Sequence, residues 1–193
     1  MIVAAADGSS LNNPGPAGWA WYIDDDTWAA GGWPRGTNNM GELKAVLDVL
    51  RATRDADEPL TILCDSQYAI NCCTKWIPGW KRKGWRKRDG KPVLNRDLLE
   101  PIDEELDGRD VTFEWVKGHA GHAMNEAADQ RARAAATAFR DGTPVDHGPG
   151  FGRVDRDPQP QEDVPRPGNG DEQERLFDLP ERPATPDQDL IGI

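Results

Sequence analysis

The chain contains 193 residues, of which 37% are hydrophobic and 30% are charged, a balance that suits one globular domain accompanied by a solvated segment. It has no apolar run of about 18 residues and no N-terminal secretory signal, so we expect no membrane partner and a cytoplasmic location. Its three cysteines are an odd number without metal-ligand spacing, which indicates reduced structural thiols.

The net charge of −11 is unfavourable for binding nucleic acid, but it is unevenly distributed. From residue 141 to the C-terminus there are 13 acidic and 5 basic residues, whereas residues 81–91 (KRKGWRKRDGK) hold seven basic residues and one acid. Phosphate attraction acts over about 8–10 Å, so a local basic patch matters more than the total. The basic run is therefore a candidate contact for nucleic acid, although such runs are usually only solvated surface.

The first half of the chain predicts an antiparallel meander, a helix and a buried strand. Alternation and turn residues indicate strands at residues 2–7, 18–24, 27–33 and 61–64. The helix is indicated by apolar residues at helical spacing, namely Leu43, Val46, Leu47 and Leu50. Its N-cap is Thr37, Asn38 or Asn39.

The second half predicts three helices and one strand. The helices span residues 66–76, ending before Pro78, then 95–106 and 123–139, and the strand spans 111–116. This order favours an α/β fold, a mixed sheet with helices packed on it. Most tryptophans of the strands should lie in the core, namely Trp19, Trp21, Trp28, Trp33 and Trp115.

The composition changes near residue 141. Nine prolines fall among the last 53 residues, with many acids and few aliphatic side chains. Such a segment cannot bury enough apolar surface to offset its ordering entropy. We therefore predict one domain at residues 1–140, including a basic segment at about 76–95, and a disordered acidic tail at 141–193.

Four acids occupy positions where neighbouring elements of such a sheet can meet. Asp7 and Asp65 end predicted strands, Glu42 opens the first helix, and Asp129 lies early in the last helix. Any one of them alone is more often a cap or a surface charge. Four together would repel unless a divalent metal neutralised them, and a metal pair suits phosphoryl transfer.

Five motifs in chain order resemble bacterial type 1 ribonuclease H: DGS with NPGP, TNN with GEL, DSQY, GWKRKGW and WVKGHAGHAMNEAAD. The resemblance covers about residues 1–139. It implies a ribonuclease H-like fold with a five-stranded mixed sheet. It also implies an endonuclease that cleaves the RNA strand of RNA–DNA hybrids with two Mg²⁺ ions, or Mn²⁺, and leaves 3′-hydroxyl and 5′-phosphate ends. Nothing in the sequence indicates more than a monomer.

The resemblance also implies residue roles. The metal-binding carboxylates fall on Asp7, Glu42, Asp65 and Asp129, and the catalytic histidine falls on His119, where the alternative is a loop residue that merely caps a helix. The family's hybrid contacts match Asn13, Thr37, Asn39 and Gln67, which are otherwise ordinary turn formers. Gly41 is smaller than the residue that many relatives carry, which predicts a looser helix start.

The basic segment at residues 76–95 matches the family's protruding handle, which grips the DNA strand, and we call it the basic handle. Arginine and lysine contacts to phosphate supply affinity without sequence choice, and a tryptophan can lie against a sugar. The predicted contacts are Trp80, Lys81, Arg82, Lys83, Trp85, Arg86, Lys87 and Arg88.

The tail contains an adjacent pair of large apolar residues, Leu176 and Phe177, which begins three residues after Gln173. This short pattern resembles the peptide by which bacterial replication and repair proteins bind the sliding clamp. An inert tail is the alternative. Two other functions stay open: a non-catalytic hybrid-binding module recruited through its tail, and another nuclease or integrase-like member of the same fold.

Overall fold

The computed structural model of the protein describes residues 1–152. Within this range no helix combines the length and the apolar character that crossing a membrane requires. The predicted clamp motif of Gln173, Leu176 and Phe177 lies outside the described residues.

Five strands form one mixed sheet in the order β3-β2-β1-β4-β5. They are β1 Ile2–Ser10, β2 Gly15–Asp24, β3 Thr27–Gly36, β4 Leu60–Cys64 and β5 Val111–Trp115. The first three strands are antiparallel neighbours, and β4 is parallel to both β1 and β5. The predicted α/β class and five-stranded mixed sheet are confirmed. The meander strands run longer than predicted because backbone pairing continues through positions without an alternating side-chain pattern, as far as Gly15 opposite Gly36.

Five α-helices accompany the sheet in the described part of the chain. They are α1 Asn38–Ala52, α2 Gln67–Asn71, α3 Ile77–Arg82, α4 Arg96–Leu106 and α5 Ala123–Asp141. α1 starts at Thr37, whose Oγ1 accepts a hydrogen bond from the Met40 N–H at 3.2 Å. α5 ends at Gly142, which has a left-handed φ of +66°.

Alternation along β1 divides the core into two layers. Ala4 and Ala6 belong to the large cluster that includes α1 and α4, whereas Ala5 packs with Leu63 and with Ala128 of α5. Small residues let α5 lie close on the sheet, since a Cβ on Gly18 of β2 would meet the Ala132 carbonyl. The sheet is thus held between α1 with α4 on one face and α5 on the other.

The tryptophans of the strands do not share one environment. Trp21 and Trp33 are buried, as predicted, and the Trp21 Nε1 donates to Asp48 Oδ1 at 2.9 Å. Trp115 is 53% exposed, so its predicted core position is wrong. β5 is the edge strand of the sheet, and sequence alternation alone cannot show that its tryptophan remains uncovered.

The helical segment after β4 does not end before Pro78, contrary to the prediction. α2 leads into a π-helical turn at Cys72–Trp76, and α3 follows at once with Pro78 in its first turn. A proline is tolerated there because its missing N–H would have no partner within the helix. The basic handle therefore begins as a continuous helical extension.

The chain beyond α5 runs along the sheet edge at β3. The Ala30 N–H donates to the His147 carbonyl at 3.1 Å, and the Gly150 N–H donates to the Trp28 carbonyl at 3.0 Å. Val145 packs against the alanine cluster beneath it. The domain boundary predicted at residue 140 falls short of these contacts, because an edge strand offers backbone groups that composition does not reveal.

Candidate active site

The strand register brings two of the predicted acids side by side. β1 and β4 are parallel with Ala5 opposite Leu63, so Asp7 and Asp65 are neighbours two residues further along. The Asp7 Oδ1 accepts a hydrogen bond from the Gly8 N–H at 2.7 Å. The backbone carbonyl of Asp65 accepts one from the Trp115 indole N–H at 3.1 Å. An acid at the end of β4 therefore faces an acid on the adjacent strand.

A close approach between two glycines brings the third acid to this point. A Cβ on Gly8 would overlap the backbone nitrogen of Glu42, and a Cβ on Gly41 would lie 2.9 Å from the Gly8 Cα. The first turn of α1 consequently rests directly on β1, next to Asp7. We expected Gly41 to loosen the helix start, but it forms a tight contact that leaves no room for a side chain.

Asp7, Glu42 and Asp65 form one acid cluster, which we call the acid triad. Each offers a carboxylate oxygen, and these oxygens all lie within 4.8 Å of one another. The Cys64 thiol donates to Glu42 Oε2 at 3.7 Å, and the Asn125 Nδ2 donates to Asp65 Oδ2 at 3.5 Å. A set of converging carboxylate oxygens suits a hard divalent cation. The residues present therefore fit the divalent metal that a ribonuclease H-like site requires.

Burial and mutual repulsion disfavour negative charge in the acid triad. Burial, followed by the charge of Asp65, raises the pKa of Asp7 from 3.8 to about 7. Burial, followed by the charges of Asp7 and Asp65, raises the pKa of Glu42 well above its usual range. Because a divalent cation would favour the ionised carboxylates, its binding would oppose both upward pKa shifts.

The fourth predicted acid, Asp129, lies on α5 at the border of the triad. Its charge contributes to the raised pKa of Asp7. Its Oδ1 is 3.6 Å from the Arg133 Nη2, one turn later on the same helix. The described structure therefore brings three of the four predicted acids into one cluster and places the fourth beside it.

The loop between β5 and α5 passes directly beside Asp65. A Cβ on Gly118 would overlap the Asp65 Oδ2, so the backbone of the loop touches the carboxylate. The next residue, His119, is exposed and has a φ of +51°, in the left-handed region that few non-glycine residues adopt. The Gly121 N–H donates to Glu126 Oε1 at 2.9 Å and ties the loop to α5. His119 thus follows a residue in contact with the triad.

Sequence reasoning missed Asn125, which is 2% exposed and contacts Asp65. A signal for it was present, because Asn125 precedes Asp129 by four residues and therefore shares its helix face. A buried polar residue on the helix face that carries a candidate ligand is itself a candidate. Cys64 was likewise read only as part of a buried strand, although its thiol contacts Glu42.

The RNase H family model matches residues 1–137 of this chain. The chain belongs to the ribonuclease H family. It is 53% identical over 155 residues to Ribonuclease H of Tropheryma whipplei (strain Twist), covering 80% of this chain and 95% of that protein. It is 50% identical over 141 residues to Ribonuclease HI of Streptomyces coelicolor, covering 69% of this chain and 61% of that protein. These relatives confirm the predicted bacterial type 1 family.

Solved structures agree with this fold. The crystal structure of LC9-RNase H1, a type 1 RNase H, aligns with a TM-score of 0.60 and 26% identity, covering 78% of this chain and 76% of that one. The foamy viral protease-reverse transcriptase in complex with an RNA/DNA hybrid aligns with a TM-score of 0.61 and 19% identity, covering 69% of this chain and 20% of that one. The second match shows the fold alone.

Three of the four predicted hybrid contacts of this ribonuclease H lie at the start of α1, namely Asn13 and Asn39, predicted for the minor groove, and Thr37, predicted for a DNA phosphate. The Asn13 Oδ1 accepts a hydrogen bond from the Asn38 N–H at 3.2 Å, which joins the turn after β1 to this helix. Thr37 caps the helix, and Asn39 lies in its first turn. Gln67 is exposed at the first position of α2, two residues after Asp65. These polar groups therefore lie on the turn after β1 and at the starts of α1, which carries Glu42, and of α2, which follows Asp65.

The basic handle of this ribonuclease H presents most of its predicted cations to solvent. Arg82, Lys83, Arg86 and Arg88 are exposed and Lys87 is half-buried. The exposed Lys81 forms an ion pair with Asp103 of α4, with 2.6 Å between Nζ and Oδ2. Trp80 packs against Trp76 with the rings tilted by 53° and 5.6 Å between their centroids.

Trp85 differs from its predicted role as a sugar contact. Its side chain is only 8% exposed, and it belongs to the core cluster of the domain. Its backbone N–H donates to the Trp80 carbonyl at 2.8 Å, and its backbone carbonyl accepts a hydrogen bond from the Val93 N–H at 3.0 Å. Trp85 therefore holds the handle together, because an isolated basic loop needs an apolar anchor to keep one shape.

Proposed function

We propose that this ribonuclease H hydrolyses the RNA strand of RNA–DNA hybrids as an endonuclease, leaving 3′-hydroxyl and 5′-phosphate ends. The acid triad of Asp7, Glu42 and Asp65, with oxygens within 4.8 Å of one another, carries the proposal. We assign two Mg²⁺ ions, with Mn²⁺ as a substitute, to the triad and Asp129. When bound, such ions activate a water for attack and stabilise charge on the leaving 3′-oxygen.

The carboxylates of the chain hold the reacting centre in place. Asp7 is buried and has a pKa raised to about 7, so it must give up a proton before it can serve as a ligand. The affinity for the metal should therefore rise as the pH increases through about 7. Strand β1, the end of β4 and the N-terminal part of α1 fix the positions of the triad on regular elements, which favours precise geometry.

His119 is proposed as the residue that transfers protons or assists product release. An imidazole can give or take a proton near neutral pH. The loop places it next to Gly118, which touches Asp65, and leaves its side chain exposed. The left-handed backbone of His119 supports a functional role, because strained residues often cluster at reacting centres.

Recognition of the hybrid is assigned to two surfaces. Asn13, Thr37, Asn39 and Gln67 lie on the turn after β1 and at the starts of α1 and α2, where they can donate to or accept from 2′-hydroxyls and hold a DNA phosphate. The basic handle contributes phosphate contacts through its exposed cations. Of the two tryptophans predicted to contact the hybrid, only Trp80 is proposed as a contact, since Trp85 is buried.

The primary test is cleavage of a labelled RNA–DNA hybrid in Mg²⁺, beside duplex DNA and duplex RNA. We expect cleavage of the RNA strand in the hybrid only, with loss of at least about 100-fold in Asp65→Asn because a metal ligand is removed. The variant should still bind the hybrid, since the handle is unchanged. Tight hybrid binding by the wild type without cleavage, in Mg²⁺ and Mn²⁺ alike, would favour the non-catalytic binding module instead.

We also propose that the tail binds a sliding clamp through Gln173, Leu176 and Phe177. Replacing Leu176 and Phe177 with alanine should abolish clamp pull-down and leave cleavage unchanged, since the apolar pair is the expected anchor. Alanines at Leu190 and Ile191, an apolar pair outside the motif, serve as the matched control. Undiminished pull-down by the first variant would reject the proposal.

A further inference from the structure

Asn125 is a buried amide that joins α5 to the acid triad. It lies in the first turn of α5, is 2% exposed, and its Nδ2 donates to the Asp65 Oδ2 at 3.5 Å. Neither its burial nor its contact follows from helix amphipathicity, because the other buried residues of α5 are all alanines. A single polar side chain within an alanine face requires a separate explanation.

The orientation of this amide is determined by the charge that it faces. With the nitrogen toward Asp65, the amide donates to a carboxylate, whereas the reversed amide would place its oxygen against the carboxylate oxygen. The other end of the amide, Oδ1, is buried and has no hydrogen-bond partner within the described residues. An unpaired buried acceptor destabilises a fold, because it has lost its hydrogen bonds to water without gaining one in the protein. Stability alone therefore favours an apolar residue here.

We infer that Asn125 is a positioning residue, which holds the Asp65 carboxylate in its metal-binding orientation and docks the face of α5 that carries Asp129. The inference rests on the proposed metal-dependent function. The single N–H contact restricts rotation of Asp65, whose carboxylate also touches the loop at Gly118. Because Asn125 and Asp129 are one turn apart on one face, the same contact limits rotation of α5 about its axis. One amide thus helps to place two proposed ligands.

The test is Asn125→Leu, which keeps the number and branching of the side-chain heavy atoms and removes both polar atoms. We expect Mn²⁺ affinity of the hybrid-free protein, measured by calorimetry, to fall about 10- to 100-fold, the usual effect of losing a group that orients a metal ligand. The kcat for hybrid cleavage should fall similarly at fixed Mg²⁺, with KM for the hybrid unchanged. The Tm in EDTA should stay the same or rise, because the unpaired acceptor is gone.

The matched control is Thr53→Val, a similar exchange at the buried polar residue that caps the C-terminus of α1. Its hydroxyl donates to the Val49 carbonyl at 2.8 Å and accepts a hydrogen bond from the Arg109 Nη2 at 3.0 Å. These contacts are remote from the triad. This variant should lose stability and keep Mn²⁺ affinity. If Asn125→Leu does not fold, Asn125→Ala is measured in the same way.

The outcomes separate the positioning role from the function on which it rests. Wild-type Mn²⁺ affinity in the Asn125 variants overturns the inference, as does a fall in kcat that only follows a lower Tm. A wild-type protein that neither binds Mn²⁺ nor cleaves the hybrid would instead reject the proposed function. A loss of affinity and kcat at unchanged Tm supports the positioning role.

Discussion

Asp7→Asn is expected to stabilise the metal-free protein at pH 8 while lowering hybrid cleavage by at least about 100-fold. The pKa of Asp7 is raised from 3.8 to about 7 by burial and by Asp65. The folded state therefore keeps a proton that the unfolded state has lost between these two pH values. Stability from this group falls as the pH rises from about 4 to 7 and stays low above it.

A neutral asparagine removes this effect. Each pH unit of the shift corresponds to about 1.4 kcal/mol, so the gain at pH 8 is at most about 4 kcal/mol. The difference between variant and wild type should shrink toward zero as the pH approaches about 4. Thermal unfolding in EDTA across this pH range, with cleavage assays in Mg²⁺, measures both effects. A gain in stability together with a loss of cleavage is the result expected for buried carboxylates that destabilise the metal-free fold and serve to bind a metal.

Asp57→Asn is the control for this prediction. Asp57 is exposed, and neutralising a surface acid away from such a cluster usually changes stability by less than about 0.5 kcal/mol. The control should therefore match the wild type in unfolding and in cleavage. A less stable Asp7→Asn protein in EDTA at pH 8 would contradict the claim that the buried charge of Asp7 destabilises the metal-free fold.

Gly118→Ala is expected to reduce kcat by about 100-fold with little change in Tm. The added Cβ would overlap the Asp65 Oδ2, which is the end of a flexible side chain and can move aside. The fold therefore tolerates the alanine, but the Asp65 carboxylate leaves the acid triad. Displacement of a reacting group by about 1 Å can lower a rate by about 100-fold. Single-turnover cleavage and thermal unfolding together test this prediction.

Ala120→Ser provides the comparison within the same loop. Ala120 is exposed, so one added atom there meets solvent and should leave kcat and Tm unchanged. If Gly118→Ala retained full activity, the contact between the loop and Asp65 would have no role in placing the carboxylate. A large loss of Tm would mean that the backbone, rather than the side chain of Asp65, gives way.

Much of the architecture could be predicted because it depends on local periodicity. Alternation located all five strands, and helical spacing located α1, α4 and α5 within two residues at most ends. The segment after β4 was less accurate, because Pro78 in a first turn and Pro78 as a terminator look alike in sequence. Burial was also harder to predict. Trp85, expected to contact a sugar at the surface, is buried, whereas Trp115, expected in the core, is exposed.

The acids of the site could likewise be predicted from the sequence, whereas the contacts that hold them in place could not. Asp7, Glu42, Asp65 and Asp129 were selected from strand ends and motifs, and the structure brings the first three within 4.8 Å. The contacts that hold them were not predicted, namely Asn125 to Asp65 and Cys64 to Glu42. Each joins residues from different elements, and no local pattern reports the distance between such elements.

By itself the sequence determined the family, the order of strands and helices, and the acids that converge, because these depend on residue type and spacing along the chain. The tertiary structure alone decided three things. It set the register that places Asp7 beside Asp65, the Gly8 and Gly41 contact that seats α1, and the burial that raises the pKa of Asp7. All three depend on distances between segments remote in sequence, which packing of the whole domain fixes.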